Sequence, residues 1–336
     1  MRSHRKWTRT LGVTIGLLIV AASAVDLLLP WWLGLDRESL DEDLVEKVHS
    51  LLIEPGRAPA VIVAGDSRAQ RQVMPEVLRR ELGVDTVNVA VAAGELISVA
   101  KVLKRDALCE KRPLLVISAT LFQVNDGAID HDAISMDCLT AMRWIDQIAI
   151  FRQRLPEMAY RKIRMYRRRL AMKFGLSSVR TKQFAEDGFL GIEGTFDPSG
   201  MAAHPERIKH PWYQDLDLEG RKWYVFRAAL REIAASGCQV LLFNGPSSPV
   251  WRQLSRDTFM DAAEEQYSQM LEREVAQYPN VYFIDFHDGW TDDFPDASFY
   301  DIQHLNRTGA ARLSVILSNE VRRLDLLHHE PAPTDR

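Results

Sequence analysis

Five short runs of consecutive apolar residues are spread along the chain and predict the strands of a sheet. They are Ala58 to Ala64, Val84 to Val91, Leu114 to Leu121, Val240 to Phe243 and Val281 to Phe286. Helical patterns separate most of them, and continuous apolar strands are typical of parallel sheets that helices cover on both faces. The pattern therefore predicts an α/β fold with a doubly wound, flavodoxin-like parallel sheet of about five strands.

The first 35 residues have the charge and hydropathy pattern of a membrane anchor. Basic residues precede an apolar run from Leu11 to Val25. After Asp26, a second apolar run from Leu27 to Leu33 contains Trp31 and Trp32. A positive flank, an apolar span and interfacial tryptophans favour a single-pass inner-membrane anchor over residues 1–35, with a juxtamembrane segment over 36–57. Ala22 to Ala24 also fit a signal-peptidase site, so cleavage is the alternative. Both interpretations export the rest of the chain to the periplasm.

The alternation of strands and helices stops between Asp126 and Asp217, which is far longer than an ordinary α/β connection. We expect a long, mostly helical insertion or lid over 126–217, between core segments 58–125 and 218–324, with a tail over 325–336. Basic residues between Arg152 and Lys173 alternate with apolar ones in a helical pattern. This segment fits anionic headgroups, a membrane partner or an anionic polymer, and equally a solvated helix face.

The overall charge and the cysteine and histidine spacing exclude several classes of function. A formal net charge of -4 gives no reason to expect a nucleic-acid partner. The three cysteines are too few for a disulfide framework, and neither they nor the histidines have the spacing of a metal site, so no metal or cofactor is predicted. A bridge between Cys109 and Cys138 is one alternative, and packing as small apolar side chains, favoured for Cys238, is the other.

The tripeptide Gly65-Asp66-Ser67 ends the first apolar run and precedes a helix-like stretch from Gln70 to Leu82. Ser67 is thus expected at the carboxyl end of a core strand, where open α/β sheets bind ligands. Gly65 permits a tight turn, and backbone N–H groups after the strand can face a developing negative charge. Asp66 and Ser67 equally fit helix caps, so the tripeptide alone does not identify a nucleophile.

A second polar block follows the last apolar run, where Asp301 and His304 stand three residues apart before a helix-like segment from Thr308. A serine hydroxyl needs a general base, and the imidazole needs a carboxylate that fixes its tautomer. These residues predict a triad of Ser67, His304 and Asp301. The alternatives are a turn aspartate with a surface histidine, or the less favoured pair Asp285 and His287, which alternate on a strand.

The first and last blocks together resemble the SGNH/GDSL hydrolase superfamily, over roughly residues 58–125 and 238–324. The resemblance implies an oxyanion hole built from Ser67, a glycine after the second strand and an asparagine after the third. Gly94 and Asn125 are the candidates for those positions. Gly94 stands one residue later than the family pattern, so the N–H of Ala93 is an alternative donor, and Gln123 replaces the usual glycine of the third block.

The chain resembles exported SGNH-like proteins that act in envelope-polymer O-acetylation or teichoic-acid D-alanylation. Three features carry this resemblance: the N-terminal anchor, Arg68 after the serine, and the motif Leu305-Asn306-x-x-Gly309. This resemblance implies an acyltransferase that moves an acetyl or similar group through Ser67 to an envelope or exopolysaccharide glycan. It also implies a membrane-bound O-acyltransferase as acyl supplier. We assign Arg68 and Asn244 to substrate binding. The alternatives are an SGNH esterase or deacetylase and a non-catalytic scaffold of a membrane acylation complex.

Overall fold

The computed structural model describes residues 41–127, 136–147, 149–150, 185–197, 199, 216–256, 258–287, 290 and 292–327. The predicted anchor over 1–35 and the basic segment between Arg152 and Lys173 lie outside these residues. Within the described part of the chain, no helix is both long enough and apolar enough to cross a membrane.

All five strands of the structure coincide with the apolar runs. They are β1 (Val61–Ala64), β2 (Thr86–Asn88), β3 (Leu114–Ser118), β4 (Val240–Asn244) and β5 (Val281–Asp285). All pairs are parallel, in the order β2-β1-β3-β4-β5. The predicted α/β class and five-stranded parallel sheet are therefore confirmed, and the strand order is the flavodoxin-like one, with a switch point between β1 and β3.

Helices cover the sheet and are numbered here in chain order. They are α1 (Glu42–Val48), α2 (Ser67–Gln72), α3 (Pro75–Leu82), α4 (Leu96–Arg105), α5 (Met136–Ala141), α6 (Arg221–Ala235), α7 (Pro249–Ser255), α8 (Phe259–Val275) and α9 (Arg307–Arg323). Val61 and Val63 of β1 pack in one core cluster with Leu313 of α9. Ile62 points to the opposite face and is also buried, so both faces of the sheet are covered.

The helix expected over Gln70 to Leu82 is instead two helices, α2 and α3. Val73 and Met74 are extended between them, and Pro75 is the first residue of α3. Proline disfavours helical backbone at the residue before it, which explains why one continuous helix was the wrong prediction. The break leaves α2 short and brings Gln72 beside the C-terminal polar block, where its Nε2 donates to the Gln303 carbonyl at 2.6 Å.

The chain enters and leaves the predicted insertion at one place. The backbone N–H of Asp126 donates to the Asp217 carbonyl at 2.8 Å, and the N–H of Asp217 donates to Asn125 Oδ1 at 2.9 Å. The Asp126 carboxylate also accepts the N–H of Lys222 at 2.6 Å, at the start of α6. These contacts let β3 and α6 continue one core although residues 119–220 separate them.

Residues 185–197, in the second half of the predicted insertion over 126–217, lie on this core. The Asp187 carbonyl accepts the N–H of Asn88 at 2.8 Å, and the N–H of Phe196 donates to the Phe299 carbonyl at 2.8 Å. The stretch therefore runs from the end of β2 to the loop before α9.

Candidate active site

The turn between β1 and α2 is built around Gly65. Its φ of 112° is a conformation that side chains rarely allow, and a Cβ there would lie 2.9 Å from the Ser118 carbonyl oxygen and overlap the Ser118 side chain. Glycine is therefore required for the chain to pass close to β3 before α2 begins. The turn places Ser67 as the first residue of α2, at the carboxyl end of the sheet.

The side chain of Asp66 stabilises this turn through hydrogen bonds. It is fully buried, and its carboxylate accepts the Arg68 N–H at 2.9 Å, the Ser118 hydroxyl at 2.7 Å and the Thr120 hydroxyl at 2.6 Å. Charge-assisted hydrogen bonds of this kind offset the cost of burying a carboxylate. Asp66 is thus the helix cap, and Ser67 is left to other contacts. Ser118 and Thr120 belong to no recognisable motif, so the sequence gives no signal for their hydrogen bonds to Asp66.

Three side chains from the two ends of the chain form a continuous hydrogen-bonded triad. Ser67 Oγ lies 2.9 Å from Nε2 of His304, and Nδ1 of His304 lies 2.8 Å from Oδ2 of Asp301. An ionised carboxylate only accepts, so Nδ1 carries the proton and Nε2 accepts from the serine hydroxyl. The structure therefore brings together the predicted nucleophile, general base and orienting acid.

A short hairpin positions the base and the acid. Phe299 and Leu305, both fully buried, form an antiparallel bridge that closes the loop between them. Within the loop, the N–H of Tyr300 donates to the His304 carbonyl at 2.8 Å, and the N–H of His304 donates to Asp301 Oδ1 at 2.8 Å. The loop backbone therefore orients the Asp301 carboxylate towards His304.

The residues after His304 complete this loop. Asn306 caps α9 by accepting the Gly309 N–H at 3.1 Å, and its Nδ2 donates to the Ala297 carbonyl at 2.8 Å. A Cβ at Gly309 would overlap the Ser298 carbonyl oxygen. Leu305, Asn306 and Gly309 thus have a structural reason to follow His304, independent of any subfamily.

The ionisation of Asp301 suits its role. Burial alone would raise the pKa of Asp301, but the hydrogen bond and charge of His304 and the N–H groups of Gln303 and His304 together hold it below the usual carboxyl value. Asp301 is therefore an anion at neutral pH and can stabilise a protonated imidazole during the reaction.

The structure corrects the expected role of Gly94 in the oxyanion hole. Its N–H donates to the Val91 carbonyl at 3.2 Å, and a Cβ at this position would overlap the Gly65 carbonyl oxygen. Gly94 therefore permits close packing against the turn that carries Ser67. Ala93, the alternative donor, has a left-handed φ of 55°, and within the described residues its N–H has no acceptor.

The side chain of Asn125, the expected oxyanion donor, contacts both ends of the predicted insertion. It is fully buried, and its Oδ1 accepts the N–H groups of Gly127 at 3.0 Å and Asp217 at 2.9 Å. No contact with Ser67 or His304 is seen in the described structure. The oxygen of Asn125 therefore joins the two ends of the insertion. Donation from its Nδ2 to an oxyanion stays a prediction, and the backbone N–H groups of Ser67 and Ala93 are further candidate donors.

Arg68 and Asn244, assigned to substrate binding, contact each other instead. Arg68 is buried and its Nη1 donates to Asn244 Oδ1 and to the Gly245 carbonyl, both at 3.1 Å. Asn244 Nδ2 donates to Asp285 Oδ1 at 3.1 Å, and the same carboxylate oxygen accepts the His287 N–H at 2.8 Å. These contacts brace α2 against the ends of β4 and β5, and they account for Asp285 without a catalytic role.

Comparisons with known proteins add little to this geometry. No family model and no curated protein matches the chain. Similar solved structures include the acetyl xylan esterase AlAXEase, with 11% identity, a TM-score of 0.40 and coverage of 79% of this chain and 98% of that one. A lipase/acylhydrolase from Enterococcus faecalis has 13% identity, a TM-score of 0.38 and coverage of 81% and 99%. LAE5, an α/β hydrolase from the metagenome of Lake Arreo, Spain, has 10% identity, a TM-score of 0.38 and coverage of 80% and 96%. These overlaps are too weak to assign a function, which is therefore argued from the site itself.

Proposed function

We propose that the protein is an exported SGNH-type O-acyltransferase that moves an acetyl or similar acyl group through Ser67 to a hydroxyl of an envelope glycan or exopolysaccharide. The observation that carries the proposal is the unbroken hydrogen-bonded chain from Ser67 through His304 to Asp301. A surface histidine or a turn aspartate has no need of this alignment, whereas covalent acyl transfer requires it. The triad also favours catalysis over a purely structural scaffold.

The first half-reaction loads the serine. Ser67 Oγ attacks the carbonyl carbon of an acyl ester while His304 Nε2 takes its proton. The tetrahedral oxyanion is stabilised by backbone N–H groups, for which those of Ser67 and Ala93 are the candidates. The bond to the donor alcohol then breaks, and His304 returns the proton to that alcohol, so that Ser67 is left as an ester.

The second half-reaction uses the same groups in reverse. A glycan hydroxyl gives its proton to His304 and attacks the acyl-enzyme carbonyl, and the protonated imidazole then returns a proton to Ser67. The products are the acylated glycan and the free enzyme. In this proposal a membrane-bound O-acyltransferase supplies the acyl group, and the anchor over 1–35 keeps the catalytic domain beside it.

A hydrolase is the second candidate, because the site is open to water. The Ser67 residue is partly exposed, and the side chains of His304 and Asp301 are 19% and 39% exposed. Water that replaces the glycan hydroxyl in the second half-reaction turns the same machinery into an esterase or deacetylase.

The proposed nucleophile is tested in the producing cell and with a serine-reactive fluorophosphonate probe. We expect Ser67→Ala to abolish probe labelling and to lower the acetyl content of the envelope polymer. Ser199→Ala is the matched control, because Ser199 is exposed and contacts only Asp197 in the described structure. Unchanged labelling and unchanged acetyl content in Ser67→Ala would remove both enzymatic candidates.

The acceptor is tested with a chromogenic acetyl ester and the purified full-length protein. A transferase should release the chromophore faster when a glycan acceptor is added and should leave acetyl groups on that glycan. Release that is independent of the glycan, with free acetate as the product, would favour the esterase.

A further inference from the structure

Cys109 and Cys238 lie at the same end of two neighbouring strands. Cys109 is in a 3₁₀ turn (Leu108–Lys111) before β3, and Cys238 stands two residues before β4. The two strands pair there, where the N–H of Leu115 donates to the Gln239 carbonyl at 2.9 Å. Both cysteines are therefore at the amino end of the sheet, away from the triad at its carboxyl end.

The local backbone brings the two cysteines together. Ala107 and Arg112 flank the 3₁₀ turn, and both have left-handed φ values, 50° and 48°, that are uncommon for residues other than glycine. A Cβ at Gly237, beside Cys238, would lie 4.0 Å from Nε of Arg112. The turn before β3 therefore packs directly on the turn before β4.

The two thiols contact each other and differ in exposure. Each is a hydrogen-bond partner of the other, both contact the Ser236 side chain, and both are reduced in the structure. Cys238 is fully buried, whereas Cys109 is partly exposed. Cys109 also lines a cavity of about 450 Å³ together with Leu103 and Ser236, so a small oxidant can approach it.

The contact divides the two thiols into a nucleophile and a proton-bearing partner. The hydrogen bond from Cys238 lowers the pKa of Cys109 to about 7, despite partial burial. The same hydrogen bond raises the pKa of Cys238, and burial adds to that effect. Because the thiolate is the reactive form, the more exposed cysteine is also the more nucleophilic one near neutral pH.

We propose that Cys109 and Cys238 are the site of an intramolecular disulfide that forms when the chain meets a thiol–disulfide oxidant. The Cys109 thiolate attacks one sulfur of the oxidant's disulfide, which breaks that bond and releases one thiolate of the oxidant. Cys238 then loses its proton and attacks the Cys109 sulfur, which releases the second thiolate. Two protein thiols lose two protons and two electrons in total, and one oxidant disulfide becomes two thiols.

The bridge would join the two halves of the core across the insertion. Cys109 belongs to the segment before Asp126, and Cys238 belongs to the segment after Asp217. A covalent link between them restricts the unfolded chain across the whole intervening loop. The bridge would therefore stabilise the folded sheet independently of the conformation of the insertion.

Cys138, which the sequence analysis paired with Cys109, lies elsewhere. It is buried, and the charged groups that act on it are Glu95, Lys222, Asp126 and Asp137. Burial raises the pKa of its thiol, which lowers its reactivity. We therefore expect Cys138 to stay reduced.

The bridge is tested on the folded full-length protein. The protein is reduced, transferred into oxidised glutathione, denatured in an alkylating agent and analysed by peptide mass spectrometry. We expect a cross-link between the peptides of Cys109 and Cys238, a loss of two hydrogen atoms, and an alkylated Cys138. Three alkylated cysteines, a cross-link to Cys138 or a lasting glutathione adduct on Cys109 would each overturn the proposal.

Variants supply a second readout. Cys138→Ser should keep the cross-link, whereas Cys109→Ser and Cys238→Ser should lose it. Oxidation should raise the urea midpoint of the wild type reversibly and leave that of Cys109→Ser unchanged. If the cysteine variants fail to fold, the wild-type peptide map still decides the question.

Discussion

At the scale of single residues, the site depends on which hydrogen-bonding groups are already occupied. The hydroxyl of Ser67 faces His304, whereas the carboxylate of its neighbour Asp66 is occupied by buried donors. The same reasoning separates Ala93 from Gly94, because only the N–H of Gly94 has an acceptor in the described structure. A residue's contacts therefore decide its role more than its place in a motif does.

Replacement of Asp301 by asparagine should abolish the proposed acyl chemistry without unfolding the protein. The amide side chain keeps the shape of Asp301 but cannot stabilise a charged imidazole, and it favours the wrong tautomer of His304. We expect a fall in kcat on the order of 10³- to 10⁴-fold, by analogy with serine hydrolase triads. The measurement is steady-state hydrolysis of a chromogenic acetyl ester, with circular dichroism to check folding. Asp293→Asn is the control, since Asp293 pairs with Arg312 at the surface, and a loss below tenfold in Asp301→Asn would contradict the assignment.

At the scale of elements, the loop after β2 packs against the turn that carries the nucleophile. Val91 donates its N–H to the Gly65 carbonyl at 3.1 Å, and Gly94 leaves no space for a Cβ beside that same oxygen. A side chain at Gly94 must therefore move the turn or the loop.

Gly94→Ala should destabilise the fold and impair the site together. Overpacking of a tight contact costs about 1–3 kcal/mol, and the displaced carbonyl belongs to Gly65, two residues before Ser67. Urea unfolding and esterase activity are the two measurements. Ala92→Gly is the neighbouring control, because the Ala92 side chain is exposed in the same loop and its loss should leave both properties unchanged. Equal behaviour of the two variants would show that Gly94 is not a close-contact position.

The cap of α1 predicts a dependence of stability on pH. Asp41 caps this helix by accepting the Leu44 N–H at 3.1 Å, and burial, aided by Asp137, Asp43 and Glu95, raises its pKa from 3.8 to about 7. The folded state thus binds its proton more tightly than the unfolded state does. The protonated Asp41 side chain therefore contributes fully to the free energy of unfolding below pH 4, and this contribution is lost as the pH rises through 7.

Asp41→Asn should therefore be more stable than the wild type at pH 8 and nearly equal to it at pH 4. Asparagine keeps the capping oxygen but cannot ionise. The free energy of unfolding at pH 8 should rise by at most about 4 kcal/mol. A pKa difference of one corresponds to about 1.4 kcal/mol, and the pKa of Asp41 rises from 3.8 to about 7 on folding. Urea unfolding at both pH values measures it, with the exposed Asp261→Asn as control. A gain that is the same at pH 4 and pH 8 would be inconsistent with this role.

At the scale of the whole molecule, a buried ion pair joins the two halves of the core. Lys222, at the start of α6, is fully buried, and its Nζ lies 2.8 Å from the Phe122 carbonyl oxygen and 3.2 Å from Glu95 Oε1. Glu95 precedes α4, and Phe122 follows β3. One ammonium group therefore holds together the loops after β2 and β3 and the helix that follows the insertion.

Lys222→Met should destabilise the protein by about 3–5 kcal/mol, because it removes the ammonium group from a buried ion pair. The double variant with Glu95→Gln should recover part of this loss. The measurement is a double-mutant cycle by urea unfolding. Lys104→Met is the control: Lys104 pairs with Glu232 but is 77% exposed, so a change of about 0–1 kcal/mol is expected. Similar losses in Lys104→Met and Lys222→Met would refute the role assigned to the buried pair.

The sequence alone was sufficient for the sheet and for the proximity of Ser67, Asp301 and His304. Apolar runs identify buried strands because burial on both faces demands continuous apolar side chains, and a parallel sheet brings the carboxyl ends of its strands to one edge. Ser67 and the block of Asp301 and His304 both follow such strands, so the strand pattern predicts their proximity. Pro75 is the sequence signal for the break in the stretch from Gln70 to Leu82, because proline disfavours helical backbone at the residue before it.

Only the tertiary structure decided the roles of the remaining residues. Gly94, Arg68 and Asn244 each follow a predicted strand, as the triad blocks do, yet contacts with distant parts of the chain assign them to packing and bracing. The contact of Cys109 with Cys238 depends in the same way on two turns that the pairing of β3 with β4 brings together. The physical reason is that the strand pattern is local, whereas the partner of a given N–H, guanidinium or thiol is set by which loops the fold places beside it.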